Sequence, residues 1–509
     1  MLPNRPVSIS DQPVSGRSRL VCVGVLLVLF FLGSLVRMVD LKDPPLGFNP
    51  TRQLRSAIIA RGIFYASQPE SDTMPLQLAP THWNMMERLE PSVLEWIVAS
   101  TYRLMGEEQV WVARIYTTTF WLIGAVALYD LARRMTSPLG ALVGVGYFLF
   151  LPFSILASRS FQPDPGMIMF VLLTGWSLFR WSERRSWRWA LLAGIFGGAA
   201  AFVKVMAAFF VGGMALGTVI YSLGLLSESR TEEDPGWRIR NLKSSLGNAQ
   251  VWIMAALMAA PALAYYLAGS GEQSSSYFVN WTIFSRWQHV LSPSFFMRWL
   301  IRVSSLMEPS VVLAAFVGTL LLPPRSRALL WGFWGSYFIY GLTFPHHITT
   351  HDYYHLPLLA LVSMSLPALA ALVIDKVQQR GIFIQILLVV VALVAAIYNA
   401  WIGRSILMGQ DFSGHPAYWQ DVGDAIPADA KLVGVTQDYG FRLMYYGWRT
   451  IKLWPQGAGS ENFDERVGEA DYFVITAKNQ INDELKDYLD TSYPVYAEGV
   501  GYIIYNLHP

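Results

Sequence analysis

Apolar residues in this chain come in long unbroken runs separated by short polar connections, the pattern of helices that cross a bilayer. The runs fall at 20–39, 109–132, 138–158, 165–181, 248–268, 328–344, 355–374 and 382–403, each long enough for roughly 30 Å of hydrocarbon. The stretch 188–226 is nearly twice one span and splits near Lys204, and the shorter run 310–323 needs help from its flanks. The expectation is a polytopic α-helical membrane protein with about eleven transmembrane helices. The first run follows a basic start (Arg5, Arg17, Arg19) and ends Arg37-Met38-Val39-Asp40 without a small-residue cleavage site, so it reads as an uncleaved anchor.

Charge orients these spans, because Lys and Arg gather in cytoplasmic loops. With the N-terminus inside, the inner loops hold Arg133 and Arg134; Arg180, Arg184, Arg185 and Arg188; Arg230, Arg238, Arg240 and Lys243; Arg325 and Arg327; Lys376 and Arg380. The outer turn at 159–164 has only Arg159, and 345–354 has neither Lys nor Arg. The expected place is the cell (plasma) membrane, multi-pass, with the N-terminus cytoplasmic and the C-terminus outside.

Three outer segments exceed simple turns: 40–108, 269–309, and everything after about 404. In the first, 51–65 and 91–106 have the length and mixed character of helices lying in the membrane interface. From 412 to 509 the composition changes to helix-like AYWQDVGDAIP and NDELKDYL alternating with strand-like KLVGVT, DYFVITA and YIIYNL, a small α/β extracytoplasmic domain. The domain reading is therefore 1–404 for the membrane part, including the first outer loop 40–108, and 412–509 for the small domain.

Composition agrees: 53% of residues are hydrophobic and 15% charged, with mean hydropathy +0.35, too apolar for the surface of a soluble domain. A net charge of +2, scattered in short clusters, excludes nucleic acid as a partner. The lone Cys22 permits neither an intramolecular disulfide nor a cysteine zinc site.

Candidate chemistry concentrates in the outer segments. The first loop carries Asp40, Asp43, Glu87, Glu90 and Glu95 with Arg52, Arg55, Arg61 and His82. Carboxylates serve as bases or metal ligands, and arginines hold phosphate, but solvated charge on interfacial helices is an equal alternative. Asp164, in Gln162-Pro163-Asp164-Pro165, stands where it would cap the following helix, with Pro165 at its first position. Lys204 sits inside an apolar stretch at a cost of about 2.5–3.5 kcal/mol at a helix centre, so it either snorkels or pairs with an acid or phosphate. Half of the eight histidines fall in Phe344–His355. There the spacings His347/His351 and His351/His355 would each share a helical face, and His346, His347 and His351 are candidate ligands of a divalent metal ion, the only cofactor these residues suggest.

These pieces resemble the C-superfamily of membrane glycosyltransferases, which includes protein O-mannosyltransferases and the bacterial aminoarabinose transferase acting on lipid A. The likeness rests on the long first outer loop, Thr51-Arg52 opening a helix that ends Ala60-Arg61, and Glu90-Pro91 with Leu94 and Trp96. It continues through Gly106, Ala113-Arg114, the Gln162-Pro163-Asp164 turn, and His351 with Tyr353-Tyr354 and Leu356-Pro357. The resemblance implies transfer of a sugar from a polyprenyl-phosphate donor to a lipid, glycan or protein acceptor outside the cytoplasm, with membrane lipids around it. It implies an acid in the first loop as base; because a lipid phosphate at the membrane boundary is poorly solvated, Arg52, Arg55, Lys204, His351, Tyr353 and Tyr354 are expected to hold it. One departure matters: where relatives carry an acid directly before Thr-Arg, this chain has Asn49-Pro50. Asn cannot act as a base, so Asp43, Asp40 or Glu90 must supply the carboxylate, or the protein binds a lipid-linked glycan without turning it over. A transporter is the third class; no internal repeat supports it.

Overall fold

The computed structural model describes residues 16–69, 73–222, 247–268 and 287–508. Arg5, the inner-loop cations Arg230, Arg238, Arg240 and Lys243, and 269–286 of the second outer segment lie outside the described residues. The chain divides into two compact units. The first comprises Met1–Leu41, Arg88–Val93 and Arg114–Met408; the second comprises Lys42–Glu87, Leu94–Ala113 and Gly409–Pro509.

The first unit is helical. Among the described residues five helices are long and apolar enough to span a membrane by length and composition: Leu20–Arg37, Trp111–Met135, Ala249–Ala268, Asp352–Gln378 and Ile382–Gly409. A sixth span arises if Pro293–Leu306 and Pro309–Leu321, bent by 98°, count as one, and three shorter apolar helices accompany them. Along Ile382–Gly409 only Gly403 is buried, which for so apolar a helix makes lipid its solvent. Elsewhere small residues let backbones touch: a Cβ on Gly332 would come within 2.0 Å of the Gly213 carbonyl oxygen, so the Ala207–Ser222 and Pro324–Thr343 helices meet main chain to main chain.

The expected split of 188–226 is present. Trp187–Val203 and Ala207–Ser222 are separate helices, broken where Lys204 turns extended at φ −155° and ψ 114°. The run 138–158 is also interrupted, because Leu151 leaves the helical region ahead of Pro152.

In the second unit the Pro50–Tyr65 helix corrects an expectation. Every residue from Gln53 to Phe64 is buried by protein, so it is an enclosed helix instead of one lying in the interface. Its close contact with the Met74–Asn84 helix is the reason: a Cβ on Gly62 would sit 2.3 Å from Trp83. Val93–Met105 keeps the expected two faces, burying Leu94, Val98 and Tyr102 and exposing Trp96 and Leu104.

The C-terminal part of this unit is a five-stranded sheet made of β1 (Leu432–Val435), β2 (Lys452–Leu453), β3 (Tyr472–Ile475), β4 (Val495–Gly499) and β5 (Tyr502–Asn506). The order is β2-β1-β3-β5-β4, with β2, β1 and β3 parallel and β3, β5 and β4 antiparallel. Alternation sorts the strand residues into two cores. Val433, Phe473, Ile475 and Tyr505 pack with Leu485 and Leu489 on one face, while Leu432, Val474 and Ile504 pack with Trp419 and Val422 on the other.

Candidate functional site

In the first unit the extended break at Lys204 turns its side chain into protein. The ammonium is 2.8 Å from Asp164 Oδ1 and lies over the Tyr353 ring, 4.6 Å from its centroid, with Tyr354 at 5.8 Å. Lys204 is 8% exposed and Asp164 1%. The snorkelling alternative is thereby overturned, since the charge finds its partner inside. The capping alternative for Asp164 is overturned too: Pro163 is the N-cap residue, Asp164 is the first helical residue, and no side-chain cap bond forms. The carboxylate faces Lys204 instead of its own helix terminus. Asp164 Oδ2 and both amide atoms of neighbouring Gln162 are buried without a hydrogen-bond partner. Native interiors rarely leave such groups unpaired, so these three atoms keep hydrogen-bonding capacity for water or a ligand.

The histidine segment adjoins this pair. The Pro345–Thr350 helix stops before His351, which is extended at φ −115° and ψ 121°, and Asp352–His355 forms one 3-10 turn before the Leu356–Gln378 helix. The extended His351 leaves no single helix running from His347 to His355, so the expected shared helical faces do not exist. The rings meet by stacking: His347 lies 4.9 Å from both His351 and Tyr354, and Tyr354 is 5.9 Å from His351. Tyr354 therefore neighbours both Lys204 and His351. His355 is occupied structurally, with Tyr337 at Nδ1 (2.8 Å) and the Ile348 carbonyl at Nε2 (2.9 Å). Stacked rings do not converge their nitrogens, and among the described residues no group of three or more His, Cys, Asp or Glu is placed to hold a metal ion. His346, His347 and His351 thus do not fit the metal-ligand expectation.

Two arginines that sequence reasoning left without a role fix the exit of the first helix. Arg114 donates to the carbonyls of Asp40 (3.1 Å) and Leu41 (2.7 Å), and Arg159 to those of Val39 and Asp40 (2.7 Å for the latter). Asp40 has a left-handed φ of 50° and an exposed side chain. Glu90, in the same unit, is 8% exposed. Arg37, fully buried, donates to Ser158 Oγ at 2.6 Å and Ser154 Oγ at 3.2 Å. Its only sequence signal was a charge at the end of an apolar run.

In the second unit Asp43 Oδ1 accepts the Phe412 N–H at 2.9 Å. Asn49 is the N-cap residue of the Pro50–Tyr65 helix in a left-handed conformation, with no side-chain cap bond, and Arg52 is half-buried on the first turn. Arg55 is buried and donates to the Glu87 carbonyl. Arg61 pairs with Glu108 at 2.8 Å, donates to the Tyr445 carbonyl and stacks on the Tyr445 ring at 3.7 Å. Burial works against its charge, but Glu108 outweighs that and holds the guanidinium pKa above its ordinary value.

Residues 90–229 match the family model for dolichyl-phosphate-mannose-protein mannosyltransferase. The fold is similar to that of ArnT from Cupriavidus metallidurans bound to undecaprenyl phosphate, with 16% identity, a TM-score of 0.56, and coverage of 96% of this chain and 98% of that one. It is also similar to the apo oligosaccharyltransferase of Archaeoglobus fulgidus (14% identity, TM-score 0.55, covering 90% and 70%). The same archaeal enzyme, AglB, in complex with an inhibitory peptide and a dolichol-phosphate gives 11% identity and a TM-score of 0.53 over the same shares. No curated protein matches the sequence significantly. The resemblance to C-superfamily glycosyltransferases is borne out, and the chain is a membrane protein with that fold.

Proposed function

We propose that the protein transfers a sugar from a polyprenyl-phosphate donor to an acceptor outside the cytoplasm. The observation that carries this reading is the buried Lys204 ammonium, held by Asp164 at 2.8 Å and lying over the Tyr353 ring. A lipid phosphate leaving at a membrane boundary develops charge in poorly solvated surroundings, and a fixed ammonium offsets it without reorganisation. Lys204 supplies that cation directly, and His351, Tyr353 and Tyr354 wall the phosphate. The base that takes the acceptor proton is Asp43, with Asp40 or Glu90 as the alternatives. The complexes of ArnT with undecaprenyl phosphate and of AglB with dolichol-phosphate support the donor class.

The test is incubation of the purified protein in nanodiscs with radiolabelled polyprenyl-phosphate sugars. Label should move to an acceptor in the wild type and fail to move in Asp43→Asn. Transfer that survives Asp43→Asn but not Asp40→Asn or Glu90→Gln reassigns the base. Donor binding without turnover by the wild type gives the second reading, a glycan-binding protein, which Asn49 in place of the usual acid favours.

A further inference from the structure

We propose that the sheet of the second unit carries a separate binding site for a neutral saccharide, in the cleft at the carboxyl ends of its parallel strands. β1 is the switch point of this sheet, since the chain leaves it to add β2 on one side and later β3 on the other. Open α/β sheets leave a crevice at that point, where ligands bind. Here the crevice is a cavity of about 430 Å³, within the range of roughly 300–1,000 Å³ usual for small-molecule sites.

The lining decides the ligand class. Thr436, Gln456, Gln480 and Asn482 face the cleft together with Thr51 and Asp438. Hydroxyls and carboxamides donate and accept at once, which matches sugar hydroxyls, themselves both donors and acceptors. Tyr439 and Trp454 add aromatic surface for the apolar face of a sugar ring, and Tyr439 is 67% exposed. Among the described residues no Lys or Arg lines the cleft. Its one acid is already engaged, Asp438 by Arg442 at 2.5 Å and Thr51 at 2.9 Å. Asp483 and Glu484 open the helix that follows Asn482, so that terminus also opposes an anion. A phosphate or nucleotide is therefore a poor fit. An extended peptide needs a free strand edge for main-chain pairing, and the edge strand at this cleft, β2, is only two residues long. Asp438 and Tyr439 are consecutive non-glycine residues with left-handed φ of 49° and 57° at this cleft, the kind of strain that gathers at ligand sites.

The test uses the full chain in phosphatidylcholine nanodiscs and saturation-transfer NMR with methyl glycosides of glucose, mannose and N-acetylglucosamine, their disaccharides, glucose 6-phosphate and an uncharged tetrapeptide. At least one neutral glycoside should bind. Gln456→Ala with Gln480→Ala, both exposed positions, should weaken it by about tenfold or more, two lost hydrogen bonds at about fivefold each. Gln480→Trp, which fills the cleft from its rim, should abolish it. A disaccharide tighter than its monosaccharide identifies a glycan chain as the source, and equal affinities identify a single sugar. No glycoside binding, binding unaffected by both variants, or preference for the phosphorylated sugar or the peptide overturns the proposal. It does not rest on the donor reading: absent sugar transfer with glycoside binding intact sinks only that reading.

Discussion

Two buried ion pairs of equal cation exposure behave as different objects. Arg61 and Lys204 each have side chains 10% exposed, and each meets a carboxylate at 2.8 Å. Around Arg61 both oxygens of the partner carboxylate are used: Glu108 takes the guanidinium on one oxygen and the Tyr445 hydroxyl on the other, and the Tyr445 and Trp448 rings cover the charge at 3.7 and 4.5 Å. Around Lys204 the second carboxylate oxygen of Asp164 and the whole amide of Gln162 are left over. A saturated pair is a structural fastening, while an unsaturated one retains bonding capacity for something else.

Removing both charges from each pair is the strongest way to break this comparison. Arg61→Met with Glu108→Gln strips stacking as well as charge and leaves the Tyr445 carbonyl without its donor, so stability should fall by about 3–5 kcal/mol. Asp164→Asn with Lys204→Met should leave stability within about 1 kcal/mol, because a buried pair is often replaceable by neutral groups of like volume. Donor transfer should nevertheless drop roughly 10²- to 10³-fold, as when a preorganised charge is removed from a developing oxyanion. Thermal unfolding and single-turnover assays on both double variants decide it; equal stability losses would make the two pairs the same kind of feature.

The single variant Lys204→Met sharpens the point. It strands a carboxylate that is 1% exposed, so a destabilisation of about 3–5 kcal/mol is expected. Transfer should fall as far as in the double variant, since both lack the cation. If the double variant recovered transfer, the cation would matter only through folding.

Much of this was legible from residues. Long apolar runs gave most of the helices, and the single lysine in 188–226 marked the break where the chain turns extended. The strand-like KLVGVT, DYFVITA and YIIYNL are β1, β3 and β5 because each is a short apolar run, rich in β-branched or aromatic residues and buried on both faces of the sheet, whereas the two-residue β2 and the largely exposed β4 carry no such pattern. Contacts distant in sequence were not legible. Asp164 and Lys204 are 40 residues apart, and a local rule assigned Asp164 to its own helix terminus. Pro50–Tyr65 looked interfacial because its mixed composition is also that of a helix whose polar groups are satisfied by neighbours, as Ser56 is by Glu95 at 2.6 Å.

A pH test probes the saturated side. His82 is 3% exposed, and burial, aided by nearby Arg61, lowers its pKa to about 4 from the ordinary 6.5. Its folded state resists a proton that the unfolded chain accepts below about pH 6.5. The stability contribution is therefore complete above that pH, declines as pH falls toward about 4 and levels off beneath. The loss should be at most about 3 kcal/mol, and His82→Phe should flatten that slope in urea unfolding between pH 7 and 4.

The smallest expected effect isolates Gln162, whose amide is fully buried with neither end bonded. Such an amide costs about 1–3 kcal/mol in lost hydration, with no bond inside the protein to offset it. Gln162→Leu removes that cost at similar volume, so the variant should unfold at the same temperature or a few degrees higher. If the amide is kept for a ligand beside Asp164, donor transfer should fall by about tenfold in the same preparation, the loss from one or two hydrogen bonds. More stability with less activity is what a group held in reserve for a substrate must give. A variant that gains stability and keeps full transfer would show the amide to be idle, and the unsaturated region would shrink to Asp164 and Lys204.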